Sequence, residues 1–164
     1  MLQGKLFVNI LDKSIIINYY DYSSNNYRKM MRKVDFKTDR QVIITTSMIK
    51  KILHKVSQND NLLILDINFL ECIDPDDEVE YLINLLKEKD NKDKQYVIKL
   101  LNKELDVLSS EKGIDIKSIE LVFIDKGCKV RLKLYSNGII TAETKDKEVI
   151  NLFVNKVLQG IINE

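Results

Sequence analysis

No apolar run in this chain approaches the roughly 20 residues that a bilayer-spanning helix requires. The longest, such as Ile15–Ile17 and Leu62–Leu65, stop after a few residues, which excludes a membrane span of that kind. The N-terminal region also lacks a charged segment followed by an apolar one and a small-residue cleavage site, so the cytosol is the expected location. Histidine occurs once, at His54, and cysteine twice, at Cys72 and Cys128. That is too few ligands for a zinc site built from Cys and His. The two cysteines fall in strand-like segments and read as reduced core residues, not as a disulfide. Nothing here implies a cofactor. Tryptophan is absent, Ala142 is the only alanine and Pro75 the only proline, a bias of the kind an AT-rich coding sequence produces.

What is present suits a folded chain. With 164 residues, 45% of them hydrophobic and 31% charged, the composition is that of one ordinary globular domain, far from the low-hydrophobicity, high-charge range of disorder. The net charge of +1 conceals two opposed blocks. Residues 28–55 hold nine basic residues against Asp35 and Asp39, and residues 56–93 hold eleven acids against three lysines. One block suits an anionic partner and the other a basic one, unless the two neutralise each other within the fold.

Along the chain, Lys5–Ile10 and Ser14–Tyr20 read as a hairpin turning at Asp12–Lys13. Tyr19, Tyr20, Tyr22 and Tyr27 then cluster around a polar loop that leads to a short helix, Tyr27–Val34. Tyr27, Arg28, Lys29, Arg32 and Lys33 interleave rings with cations, the pattern that holds single-stranded nucleic acid by stacking and phosphate contact. A solvated loop explains the same composition. Gln41–Thr45 reads as a strand, and Thr46 or Ser47 as the cap of a helix with Met48, Ile49, Ile52, Leu53 and Val56 on one apolar side. Leu62–Asp66 reads as a strand, then a helix starts at Asp74–Pro75–Asp76–Asp77, then comes a strand Tyr96–Leu100 and a helix ending at Gly113. The acidic start is accounted for by capping and by the helix dipole. Its functional alternatives are a protein-binding surface at Asp74, Asp76 and Asp77, or Mg²⁺ held by Asp66 with Asp74 or Asp76.

The C-terminal third alternates cleanly. Ile119, Leu121 and Phe123, and then Val130, Leu132 and Leu134, form two strands joined at Lys126–Gly127. A three-residue loop, Ser136–Asn137–Gly138, with Gly138 left-handed, sets Ile140 opposite Leu134, Ala142 opposite Leu132 and Glu143 opposite Arg131. The outer face then shows Lys129, Arg131 and Lys133, a stripe for phosphates or simply the polar side of a half-solvated sheet. Asp146 caps a last helix whose apolar positions, from Val149 to Ile162, cover the sheet.

The expected class is α/β, or mixed α+β. It is a single domain over residues 1–164, with a mixed β-sheet packed by helices, a C-terminal β-meander and a closing helix. Within it, residues 1–46 form the hairpin and basic segment, 47–116 a βα core, and 117–164 the meander and last helix. Residues 47–116, with Leu62–Asp66, Cys72–Ile73–Asp74, Tyr96–Leu100 and Gly113–Ile114–Asp115, resemble the STAS domain of anti-sigma-factor antagonists. In that family a regulatory phosphoserine follows the aspartate matched by Asp74. Pro75 stands there in this chain, so the resemblance implies an interaction or scaffold role without that switch. Asp66–Ile67–Asn68 and Glu104–Leu105 are also similar to the first two acid motifs of PIN-domain ribonucleases. That resemblance implies Mg²⁺ or Mn²⁺ held by clustered carboxylates, with Asp66 and Glu104 as catalytic residues. Its further acids would fall where the meander lies, and Asp146, one candidate, already serves as a cap. The leading expectation is a non-enzymatic regulatory or scaffold protein recognising another macromolecule. Nucleic-acid binding by the 28–55 block with Lys129, Arg131 and Lys133 comes second, and the nuclease third.

Overall fold

The computed structural model describes residues 1–21, 26–70, 77–88 and 93–163, apart from the side chain of Asp77. Strands β1 (Leu2–Asn9) and β2 (Ile15–Tyr19) form the hairpin, followed by α1 (Asn26–Met31), β3 (Asp39–Gln41) and α2 (Thr46–Gln58). Next come β4 (Leu62–Phe69), α3 (Asp77–Lys87) and α4 (Lys94–Ser110). The meander is β5 (Ile116–Asp125), β6 (Cys128–Tyr135) and β7 (Ile139–Ala142). The last helix runs as α5 (Lys147–Phe153), a π-helical turn at Val154–Leu158, and α6 (Gln159–Ile162).

Among the described residues seven strands make one sheet in the order β2-β1-β7-β6-β5-β4, with β3 also on β1, and every pairing is antiparallel. Period-two alternation divides the side chains. Leu6, Ile140, Leu132, Leu134, Ile119, Leu121, Phe123, Leu62 and Ile64 point into one buried core with the helices, while Gln3, Thr141, Arg131, Lys133 and Glu120 lie on the open face, joined there by Asp66 because the register of β4 shifts between Ile64 and Asp66. The closing helix seats Phe153 edge-on against Phe123, ring centroids 5.7 Å apart.

The meander follows its pattern. Leu134 faces Ile140, Leu132 faces Ala142, and the Glu143 N–H donates to the Arg131 carbonyl at 2.9 Å. Lys126 and Gly127 take left-handed φ of 48° and 81°, the geometry of a two-residue hairpin turn. Asp146 caps α5 by accepting from the Glu148 N–H at 2.8 Å. Asp146→Ala is expected to cost about 1 kcal/mol and to lower Tm by roughly 3 °C in thermal unfolding followed by circular dichroism.

The sharpest packing constraint lies where β7 and β3 meet end to end along one edge of β1. Leu6 sits at that seam, its N–H donating to the Gly138 carbonyl at 2.9 Å and its carbonyl accepting from the Val42 N–H at 3.1 Å. Lys5, only 3% exposed, donates its ammonium to the Asn137 carbonyl in the same turn, and burial pulls its pKa down.

Several sequence expectations are corrected. Tyr96–Leu100 is not a strand but part of α4, so the parallel component expected of a mixed sheet is missing from these pairings. A short β-branched stretch looked extended, yet Val97, Ile98, Leu101, Leu105 and Leu108 share one buried helical face over 17 residues, and that longer period wins. The strand expected at Gln41–Thr45 pairs only over Asp39–Gln41, and the first helix is confined to Asn26–Met31. The α2 cap is Thr45, whose Oγ1 accepts from the Met48 N–H at 3.3 Å. Cys128 keeps the core-side register but lies beside the turn, past the last covered position, and is exposed and free. Cys72, Asp74, Pro75 and Asp76 fall outside the described residues.

Candidate binding groove at the sheet edge

β2 ends the sheet, and its pairing with β1 sets which backbone groups remain at the edge. The Asn9 N–H donates to Ser14 and the Tyr20 N–H to Gln3, so in the intervening antiparallel ladder Ile16 and Asn18 face β1. The N–H and C=O groups of Ile15, Ile17 and Tyr19 therefore point outward, and among the described residues no strand pairs with them.

A groove of about 780 Å³ runs along this edge between β2, α1 and the start of α5. Ile17, Asn18 and Tyr19 of β2 line it together with Lys29, Arg32, Lys33, Lys147 and Asp21. The cations reach it because α1 buries Met30 and leaves Lys29 exposed, with Arg32 and Lys33 exposed in the turn that follows. α1 is anchored at its start by Tyr27, whose ring meets that of Tyr20 at 5.2 Å and 69°. Gln3 Nε2 holds the Tyr20 hydroxyl at 2.7 Å.

On the other side Tyr19 packs towards α5. Its hydroxyl donates to Asn151 Oδ1 at 3.1 Å, and the Lys147 ammonium lies 5.0 Å from its ring centroid. Burial, and then the charge of Asp146, push the Tyr19 pKa up to about 12. The neutral phenol is thus favoured in the folded state. Its stabilising contribution is complete below the unfolded value near 10 and is lost as pH rises towards 12. Tyr19→Phe is expected to flatten that part of the alkaline unfolding curve, a change read by thermal melts from pH 9 to pH 12.

The structure gathers Lys29, Arg32 and Lys33 and adds Lys147, distant in sequence and brought in by the closing helix. Tyr27 borders the group through Tyr20, and Arg28 is exposed on α1 without lining the groove. Lys129, Arg131 and Lys133 are elsewhere, on the open face of β6, three strand spacings or about 14 Å from β2. That stripe is interleaved with acids. Arg131 bonds Glu120 through Nε, and the hydrogen bond and charge of Glu120, followed by the charges of Glu143 and Asp66, raise its pKa. Lys133 lies 5.7 Å from the Tyr135 ring centroid.

The carboxylates do not converge. Asp66 is exposed on the open face of β4, where it accepts from Asn68 Nδ2 at 2.9 Å, whereas Glu104 belongs to α4 in the helical layer behind the sheet. Among the described residues no cluster of three or more His, Cys, Asp or Glu side chains suited to a metal occurs. Lys50 bonds Asp106 at 2.7 Å, outside the acidic stretch 56–93, and Asp60 of that stretch takes Lys94 at 3.1 Å. Asp74 and Asp76 lie outside the described residues, and Asp77 opens α3. Comparison with protein-family models, with curated proteins and with solved structures gives no match.

Proposed function

We propose that this chain is a non-enzymatic interaction module, regulatory or scaffolding in role, that holds an acidic macromolecular partner in the groove beside β2. One observation carries the reading: three cations of the 28–33 segment and Lys147 line a groove at a strand edge left unpaired among the described residues, with Asp21 beside them and Asp146 near Tyr19 as the acids. An acidic partner gains from each of these charges, and the field of four clustered cations speeds its approach. Of the two surfaces expected to bind a protein, this is the basic block from Arg28 to Lys33; Asp74 and Asp76 of the acidic one lie outside the described residues.

Nucleic acid is the second reading, favoured by Tyr27, 38% exposed beside Arg28. It ranks lower because the rings are already engaged, Tyr19 under Lys147 and Tyr20 against Tyr27. The test is fluorescence anisotropy of the protein with a labelled decaglutamate and a labelled ten-nucleotide oligouridylate at about 50 and about 200 mM salt. Retention of the acidic peptide that weakens several-fold at the higher salt is expected. Oligouridylate binding that is tighter, and that Tyr27→Ala abolishes, would put the nucleic-acid reading first.

A further inference from the structure

We propose that the occupant of the groove is an extended polypeptide segment with alternating acidic and apolar side chains, which adds to the sheet as a strand against β2. The inference rests on the reading of the groove as the binding site and specifies how the partner is held. The outward N–H and C=O groups of Ile15, Ile17 and Tyr19 form a ladder that a further strand can complete. Edge strands that must stay single are usually blunted by proline, charge or a bulge. Ile15–Tyr19 has no proline or charged side chain, and its register against β1 is unbroken.

The two sides of the edge differ, and that difference selects the sequence of the segment. Tyr20 meets α1 on the side of Asn18, so side chains of an added strand that point this way meet Lys29, Arg32 and Lys33. Side chains of the other parity lie beside Ile15, Ile17 and Tyr19, which pack against the core, with Lys147 as the cation on that side, at Tyr19. Carboxylates suit the first side and aliphatic groups the second. A second copy of this chain is disfavoured as the occupant. Pairing β2 with its own symmetry mate would set the two copies' cations against each other. A nucleic-acid strand has no alternating amide donors and carbonyl acceptors to match the edge.

The test titrates the full chain with a fluorescein-labelled (Glu-Val)₄ peptide and with two versions of it, one N-methylated at every Glu and the other at every Val. Only one parity of amides faces β2 in an added strand. One methylated peptide should therefore lose about tenfold or more in affinity while the other binds like the parent. Equal binding by all three, still weakened by Lys33→Glu, overturns strand addition and leaves the groove reading intact. Binding of oligouridylate but not of (Glu-Val)₄ overturns the choice of a polypeptide. Failure of both probes removes the groove reading together with this inference.

Discussion

Replacing Gly138 by alanine is expected to lower stability by about 3 kcal/mol and Tm by roughly 10 °C. Two costs add at this residue. Its φ is +75°, a conformation that an L side chain adopts at a penalty, and a Cβ there would stand 2.2 Å from the Val42 carbonyl oxygen. That oxygen cannot retreat cheaply. The Val42 N–H is bonded to Leu6, which is bonded in turn to the Gly138 carbonyl, so β1, β3 and the β6–β7 turn are tied together at one point. Gly127 separates the two costs, since its φ is +81° but nothing lies within 4 Å of its missing Cβ. Gly127→Ala should therefore cost only about 1 kcal/mol. Urea unfolding of the two variants side by side reads the difference. Equal losses would show that the seam is not the constraint described.

The double variant Lys29→Glu/Lys33→Glu is expected to weaken (Glu-Val)₄ by on the order of 100-fold, about 1.4 kcal/mol for each reversed charge. Both side chains are exposed on or just after α1 and line the groove, so reversal replaces attraction with repulsion without opening the core. Thermal stability should stay within about 0.5 kcal/mol of the parent, as for surface substitutions away from packed features. The same reversal at Lys129 and Lys133 should change affinity little, because those side chains lie three strands away. Anisotropy titrations of both pairs decide the matter. Greater loss from the β6 pair would relocate the site to the open face of the sheet.

The architecture was legible wherever one face of an element is buried and the turn chemistry is specific. The register of β6 and β7 followed from placing Gly138 in the left-handed position, because the alternative loop would have put Glu143 among apolar residues. The Asp146 cap followed from an acid directly ahead of an apolar stripe. The first half of α4 is locally ambiguous because Tyr96–Leu100 is short, β-branched and preceded by lysines and aspartates, so local propensity points to a strand while the helical spacing that continues to Leu108 decides. β3 starts and ends earlier than the apolar run Val42–Ile44 predicts, since Val42 and Ile44, although bonded to Leu6 and Ser136, lie beyond its ladder with β1.

The candidate site was half visible. Lys29, Arg32 and Lys33 stood out as a basic run, but Lys147 joins them only through the packing of Tyr19 on α5, a contact between residues 128 positions apart. Nor does a hairpin sequence reveal which of its strands will end the sheet. That depends on β7 and β3 having taken the other side of β1.

The most direct test of the account is a backbone amide NMR titration of the isotopically labelled protein with (Glu-Val)₄. Shifts concentrated at Ile15–Tyr19, along α1 to Lys33, and at Lys147 are predicted. Shifts centred on Lys129, Arg131 and Lys133 or on α3, or a spectrum that does not change, would contradict it.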